Sequence, residues 1–134
     1  MARILIVEDN ALNVKLFCDL LAAHGHEPRP VSDGRFALEQ ALDFGPDLVI
    51  TDIQLPHVTG FDLIRMMRAD DRLSDVPIMA VTAYAAAADE ERIRAAGAQA
   101  YVSKPISVAK FVAQVNELLG IETEDRKAPA PQVT

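Results

Sequence analysis

The chain has 134 residues, 50% of them hydrophobic and 25% charged, which is the size and composition of one folded domain. Its formal net charge of −7 argues against nucleic acid as a partner, because such a surface needs clustered lysines and arginines to displace counterions. The single cysteine, Cys18, excludes an internal disulfide, and no apolar stretch reaches membrane-spanning length, so we expect a cytoplasmic protein without membrane insertion.

Four short apolar runs predict buried strands. None of them alternates polar with apolar residues, which is typical of strands buried on both faces of a parallel sheet. They begin at Ile4 (ILIV), Asp47 (DLVIT), Ile78 (IMAVT) and Ala100 (AYVS). Segments with helical periodicity separate the runs, and several end at a glycine where a left-handed cap is expected. These glycines are Gly25, Gly45, Gly97 and Gly120.

The candidate second strand, HEPRPV, contains Pro28 and Pro30. Because the two prolines are two residues apart, their missing N–H groups point to the same side, which is tolerable only at a sheet edge. In a flavodoxin-like sheet with strand order 2-1-3-4-5, the second strand is an edge. We therefore predict an α/β fold of five β-α repeats, a doubly wound five-stranded parallel sheet in this order.

The last predicted helix has the clearest amphipathic pattern, with Ser107 as its N-cap. The stripe assigned to the core is Val108, Phe111, Val112, Val115, Leu118 and Leu119. Residues 1–120 then form one domain, and residues 121–134 (IETEDRKAPAPQVT) read as a flexible polar tail. The histidines at 24, 26 and 57 are isolated, and we expect each at a surface or turn position.

Residues that directly follow the predicted strands are the candidates for a functional site, because ligands of an open α/β sheet bind beyond the carboxyl ends of its strands. Glu8 and Asp9 follow the first strand, and Asp52 follows the third. Thr82 ends the fourth strand, and Lys104 follows the fifth. Each residue is ordinary in isolation, as a helix-start acid, a turn residue or a strand residue. Their joint occurrence at four adjacent strand ends predicts one site.

Three carboxylates held together require a cation, because two of them about 4 Å apart repel by roughly 4 kcal/mol at an effective dielectric constant near 20. Oxygen ligands with no nearby His or Cys favour a hard ion, so we predict Mg²⁺ or Mn²⁺. A carboxylate beside such an ion, with Lys104 and Thr82 around it, is suited to accept a phosphoryl group.

The segments VEDN, TDIQLP, VTAY and YVSKPIS, in this order and spacing, resemble the receiver domain of two-component response regulators. The resemblance extends from about Arg3 to Leu119 and implies a signalling phosphoacceptor rather than a multiple-turnover enzyme. Asp52 would be the phosphorylated aspartate, and Lys104 would pair with its phosphoryl group. The Lys104–Pro105 peptide bond would be cis.

The resemblance also implies a metal site and a switch. Asp9, Asp52 and the backbone carbonyl of Gln54 would ligate Mg²⁺, with Glu8 acting through a water. Thr82 would move to bond the phosphoryl oxygen, and Tyr101 would turn inward with it. In addition, Gln54 and Tyr84 would flank the phosphoryl group and hinder an attacking water, so we expect Tyr84→Ala to shorten the phosphorylated lifetime.

The implied partners are a sensor histidine kinase or histidine phosphotransfer protein and a downstream protein target. Met1 and the polar tail suggest a chain without an output domain, so we expect the output to be protein binding. In the family, the face of helix 4, strand 5 and helix 5 reads out phosphorylation, and Arg92 and Arg94 are outward-facing candidates there. The first helix, Asn10 to His24, is either a wide core stripe or a kinase-docking face that exposes Val14 and Cys18.

Three other functions compete with this interpretation. An aspartyl-phosphate hydrolase would normally carry a second acid two residues after Asp52, where this chain has Gln54. A flavin or nucleotide carrier needs a Gly- or Ser/Thr-rich phosphate loop, and the first loop here is Glu8-Asp9-Asn10. A phosphorylation-independent adaptor would usually lack one of the site residues, and all are present.

Overall fold

The computed structural model describes residues 2–83 and 87–120, apart from the side chains of Ala87 and Ala88. The strands are β1 (Arg3–Val7), β2 (Glu27–Val31), β3 (Leu48–Asp52), β4 (Ile78–Thr82) and β5 (Ala100–Ser103). The helices are α1 (Ala11–Ala23), α2 (Ala37–Phe44), α3 (Gly60–Ala69), α4 (Ala87–Ala96) and α5 (Val108–Leu119), with a short 3₁₀ helix (Gly34–Phe36) before α2. Tyr84 and the predicted tail lie outside the described residues.

All five strands are parallel and lie in the order β2-β1-β3-β4-β5, which confirms the predicted doubly wound sheet. Every residue of β3 and β4 is buried. The core consists of two clusters, one on each face of the sheet. The helices α2, α3 and α4 contribute to one cluster, and α1 and α5 contribute to the other.

The strand β2 lies at an edge, as its two prolines predicted. The amide of Glu27 donates to the Ala2 carbonyl (2.8 Å), and the Glu8 amide donates to the Val31 carbonyl (3.1 Å). Residues 27 and 31 therefore direct their main-chain polar groups toward β1. Because these directions alternate along a strand, Pro28 and Pro30 occupy the positions that face outward.

Capping residues lie at the helix termini where the sequence indicated them. The Ser107 hydroxyl accepts a hydrogen bond from the Lys110 amide (3.4 Å), which confirms the predicted N-cap of α5. Gly45 and Gly120 end α2 and α5 in the left-handed conformation. Of the described helices, none has the length and apolar character needed to span a bilayer.

The structure corrects one sequence-based assignment and half of another. Val108 was assigned to the core, but it is 48% exposed, because side chains lean toward the N-terminus of a helix and the first residue leans past its start. His26 is expected at a surface or turn position; it directly follows the turn at residues 24–25, but it is only 8% exposed, and its Nδ1 accepts a hydrogen bond from the Ala2 amide (3.2 Å). Burial lowers the pKa of His26.

Candidate functional site

Three carboxylates meet at the carboxyl ends of the neighbouring strands β1 and β3. Glu8, Asp9 and Asp52 each offer an oxygen atom, and these atoms lie within 4.8 Å of one another. The parallel pairing of Val7 with Thr51 brings the two strand ends to the same height. Glu8 and Asp52 are buried, whereas Asp9 is exposed. The site is therefore an acidic pocket with one side open to solvent.

Lys104 reaches into this acidic pocket from the loop after β5. Its Nζ donates a hydrogen bond to Asp52 Oδ2 (3.0 Å), while the Gln54 amide donates to Asp52 Oδ1 (3.1 Å). The Lys104 amide donates to the Thr82 carbonyl (2.7 Å), which ties this loop to the end of β4. The Lys104–Pro105 peptide bond is cis. Both oxygens of the Asp52 carboxylate thus have a fixed donor.

The Glu8 carboxylate is the most deeply buried acid of the pocket. Its Oε2 accepts a hydrogen bond from the Asn10 amide (3.1 Å), and Asn10 also caps α1. Its Oε1 lies 3.4 Å from Lys104 Nζ, yet it has no hydrogen-bond partner among the described residues. Burial raises the pKa of Glu8, and the nearby charge of Asp52 acts in the same direction.

Lys104 remains the charged counterpart of these acids. Burial disfavours its ammonium form, but the hydrogen bond to Asp52 and the charges of Asp52 and Glu8 outweigh this effect and raise its pKa. One ammonium group therefore lies beside two of the three acids, so the formal charge of the pocket is negative.

This donor set fits a hard divalent cation. All three acids offer oxygen atoms at mutual distances that one ion can span, and the buried Glu8 Oε1 has unused acceptor capacity. Carboxylate and carbonyl oxygens are the ligands that Mg²⁺ and Mn²⁺ take in proteins.

Thr82 and Gln54 lie beside the acids. Thr82 is 2% exposed at the end of β4, and it lines a cavity of about 630 Å³ together with Asp9 and Gln54. The cavity continues between the β3–α3 loop and α4, where Phe61 and Arg92 also line it. Thr82 therefore borders a space that Asp9 of the acidic pocket also borders.

Tyr101, the predicted partner of the switch, is half-buried on β5. Its hydroxyl donates a hydrogen bond to Glu90 Oε1 on α4 (3.1 Å), and this bond raises its pKa. Glu90 also accepts from Arg94 Nε (3.3 Å), so the phenol belongs to a polar network that joins β5 to α4. Arg92 and Arg94 are exposed, as expected from the sequence.

The exposed apolar residues of α1 differ from those considered in the sequence. Val14 and Cys18 are both half-buried, and Cys18 packs against the core on its side of the sheet. Leu12 is instead 79% exposed and Leu16 is 37% exposed, one helical turn apart. The count of apolar residues indicated a surplus, but only the packing of α1 in the folded chain shows which of them stay outside.

Residues 4–116 match the family described as the response regulator receiver domain. The chain belongs to this family. As a receiver domain, it is a signalling protein of the two-component type, and its sheet order is that of the CheY-like structures it resembles.

Curated relatives include proteins named polar-differentiation response regulator DivK. The protein from Brucella anthropi is 48% identical over 117 residues, which cover 87% of this chain and 95% of the relative. The protein from Brucella ovis is 47% identical over the same shares of both chains.

Among solved structures, this receiver is similar to the receiver domain of the sensor histidine kinase PA1611 from Pseudomonas aeruginosa, with a TM-score of 0.82 and 32% identity. The match covers 89% of this chain and 98% of that domain, which was crystallised with a magnesium ion coordinated in its active-site cleft. The chemotaxis protein CheY4 of Vibrio cholerae has a TM-score of 0.84 at 26% identity, over 89% of this chain and 99% of CheY4.

Proposed function

We propose that this receiver is a phosphorylation switch that accepts a phosphoryl group on Asp52 and signals through altered protein binding. The observation that carries the proposal is the Asp52 carboxylate, which lies among two further acids and 3.0 Å from the Lys104 ammonium. A cytoplasmic location is part of the proposal.

The donor is a phosphohistidine of a sensor histidine kinase or of a histidine phosphotransfer protein. An oxygen of the Asp52 carboxylate attacks phosphorus, the P–N bond breaks, and its electron pair leaves with the imidazole, which then takes up a proton. The product is an aspartyl phosphate. Lys104 offsets charge on the transferred oxygens, and the Thr82 hydroxyl donates to one of them.

Asp9, Asp52 and the backbone carbonyl of Gln54 would hold Mg²⁺ or Mn²⁺, with Glu8 contributing through a water. Such an ion would supply positive charge that offsets the negative charge of the carboxylates and of the transferred oxygens. The acidic cluster supports this assignment, as does the magnesium ion in the cleft of the PA1611 receiver.

Phosphorylation would be read out through Thr82 and Tyr101. As Thr82 turns toward the phosphoryl group, Tyr101 turns inward and leaves the hydrogen bond to Glu90. Because that bond joins β5 to α4, the surface of α4, β5 and α5 would change, and a downstream protein would recognise the change.

The relatives named DivK suggest the biological setting of the switch. A role in polar differentiation and the cell cycle would suit a receiver that is 48% identical to one of them over 117 residues. On the kinase side, Leu12 and Leu16 of α1 form an exposed apolar patch that would contact the helical bundle bearing the phosphohistidine.

Incubation with acetyl phosphate and Mg²⁺, followed by intact mass spectrometry, tests the proposal. We expect the wild type to gain the mass of one phosphoryl group, while Asp52→Asn gains none and a chelator prevents the gain in the wild type. An unmodified wild type, or a modified Asp52→Asn, would contradict the assignment, and the first result would favour a phosphorylation-independent adaptor.

A further inference from the structure

Gly60, the first residue of α3, lies against the main chain at the end of β3. Its amide donates a hydrogen bond to the Ile53 carbonyl (2.8 Å). A Cβ atom built on Gly60 would lie 2.4 Å from the carbonyl oxygen of Asp52 and 2.6 Å from the Cα of Ile53. Cβ atoms essentially never approach other atoms within 3.0 Å. This contact therefore requires a residue without a side chain.

The requirement concerns space rather than backbone conformation. Gly60 is not among the glycines with positive φ, so its main chain is open to any residue. The two nearest atoms belong to the main chain, so the contact cannot be relieved by a change of side-chain rotamer. The third contact, 3.0 Å from Ile53 Cδ1, involves a side chain.

Neither of the two elements in contact is free to retreat. The strand β3 is buried along its whole length, and the Ile53 amide after it donates to the Val81 carbonyl of β4 (3.0 Å). The helix α3 buries Leu63, Ile64 and Met67 in the core. A side chain at residue 60 would therefore displace the peptide between Asp52 and Ile53, tilt the first turn of α3, or both.

The displaced peptide carries the Asp52 side chain. That carboxylate is held by the Gln54 amide and by Lys104, and it shares the pocket with acids that belong to another strand end. A shift of about half an ångström is comparable with the tolerance of preorganised sites. It would change the distances from Asp52 to the other two acids and to Lys104 together.

We propose that Gly60 is a positioning residue for Asp52. By letting α3 rest directly on the main chain of Asp52 and Ile53, it sets where the Asp52 carboxylate stands relative to the acids of β1 and to Lys104. This inference rests on the proposed function of Asp52, and it assigns to Gly60 a role in cation binding and phosphorylation.

The substitution Gly60→Ala tests the proposal with two readouts, the affinity for Mn²⁺ measured by electron paramagnetic resonance and the rate of phosphorylation by acetyl phosphate. We expect Mn²⁺ affinity to fall by about tenfold. The phosphorylation rate at saturating Mg²⁺ should fall by at least about tenfold, because the attacking oxygen is misplaced.

Gly34→Ala is the matched control, because Gly34 is also a buried glycine next to the β3–α3 loop. A Cβ on Gly34 would lie 3.3 Å from Leu55 Cδ1, a side-chain end that is able to adjust. The next atoms, Val58 Cβ and the Val58 carbonyl oxygen, are each 3.6 Å away, which is an ordinary contact distance. Both readouts should therefore stay within about twofold of the wild type.

Reduced folding of Gly60→Ala is controlled by measuring urea unfolding and by assaying in trimethylamine N-oxide, which favours the folded state. The double variant Gly60→Ala/Ile53→Val, compared with Ile53→Val alone, removes the Cδ1 contact and keeps the main-chain contacts. Relative to Ile53→Val, the double variant should show the same losses of Mn²⁺ affinity and phosphorylation rate.

The inference would be overturned if Gly60→Ala or Gly60→Ala/Ile53→Val kept the Mn²⁺ affinity and the phosphorylation rate of its parent protein per folded molecule. A merely structural role for Gly60 would lower stability without changing these two readouts. Equal losses in Gly34→Ala would overturn it as well. If the wild type itself neither bound Mn²⁺ nor became phosphorylated, the proposed function would fail instead.

Discussion

The ammonium of Lys104 donates a hydrogen bond to Asp52 Oδ2 across 3.0 Å, although the two residues are 52 positions apart in the chain. The same ammonium lies 3.4 Å from Glu8 Oε1. Lys104 is thus the cation already present among the acids. It would assist the phosphoryl group on Asp52, and it would compete with a divalent ion for the same negative charge.

Replacement of Lys104 by methionine separates these two effects. We expect Lys104→Met to lower the rate of phosphorylation by acetyl phosphate by about a hundredfold, because the charge on the transferred oxygens loses its counterpart. Mn²⁺ affinity should rise, because the competing positive charge is gone. Lys110→Met, an exposed change on α5, is the control, and a Lys104→Met rate equal to that of the control would contradict the role of Lys104.

Arg68 links the C-terminal ends of α3 and α4, at the end of the sheet opposite the acidic pocket. Its Nε donates to the Gly97 carbonyl (2.9 Å), and its terminal nitrogens donate to the Val76 carbonyl and to Gln99 Oε1 (2.7 Å each). We expect Arg68→Met to lower the free energy of unfolding by about 2–4 kcal/mol, because several acceptors lose their donor together.

Urea unfolding of Arg68→Met, Arg68→Lys and Arg65→Met tests this role. Arg68→Lys should lose most of the same stability, since an ammonium cannot reproduce the planar fork of donors. Arg65 is exposed and lies 3.5 Å from Asp62, so its substitution should change the free energy of unfolding by less than about 0.5 kcal/mol. If Arg68→Lys were as stable as the wild type, a positive charge at this position would be sufficient for the stabilisation.

His57 has a backbone φ of 72°, which is a strained conformation for a residue with a Cβ atom. The Val58 amide donates to the Pro56 carbonyl (2.8 Å), so the turn closes around His57. We expect His57→Gly to raise the free energy of unfolding by about 1 kcal/mol, after the greater freedom of unfolded glycine is subtracted. His57→Ala, which keeps the Cβ, should bring no such gain in urea unfolding, and equal effects would rule out strain.

His26 should make stability depend on pH. Burial lowers its pKa in the folded state, and its Nδ1 must stay unprotonated to accept from the Ala2 amide. The unfolded chain therefore takes up the proton first. The contribution of His26 is fully present above about pH 6.5 and is lost as pH falls below that value through the folded pKa.

The free energies of unfolding of the wild type and His26→Asn, measured in urea between about pH 7.5 and 5.5, test this dependence. The Asn oxygen can accept from the Ala2 amide without titrating in this range. The wild type should lose up to about 1 kcal/mol more than the variant on acidification. Parallel losses in both proteins would remove His26 as the cause.

The exposed patch on α1 gives a prediction about the phosphoryl donor. Leu12→Ser should slow transfer from a phosphorylated histidine kinase that acts on the wild type, by about tenfold, because apolar contact area is lost. Its phosphorylation by acetyl phosphate should stay unchanged, since that donor needs no docking surface. A parallel loss with both donors would place Leu12 in the site rather than in a docking surface.

The sequence predicted the fold and the residues of the acidic pocket for one physical reason. Parallel strands carry their carboxyl ends to one rim, so Asp9, Asp52 and Lys104 could be expected together without knowledge of any distance. Pro28 and Pro30 in turn restricted β2 to an edge.

Residues whose role depends on a neighbouring element could not be assigned in this way. Nothing near Gly60 in the sequence shows that α3 rests on the main chain of Asp52, and nothing near Arg68 shows the carbonyl groups around it. His26 is buried by contact with the start of β1, which lies far from it in sequence. Periodicity indicates how much of a helix is apolar, but packing decides which of those residues is covered.

The outward-facing Pro28 and Pro30 close one border of the sheet to strand addition. Without their N–H groups, β2 offers too few donors for an extended peptide or a second sheet to pair along it. A partner approaching that border meets side chains instead of a main-chain template. Binding at this edge therefore depends on the side chains that the partner presents. Non-specific pairing with unrelated extended segments is disfavoured, which suits a signalling protein that must bind particular partners.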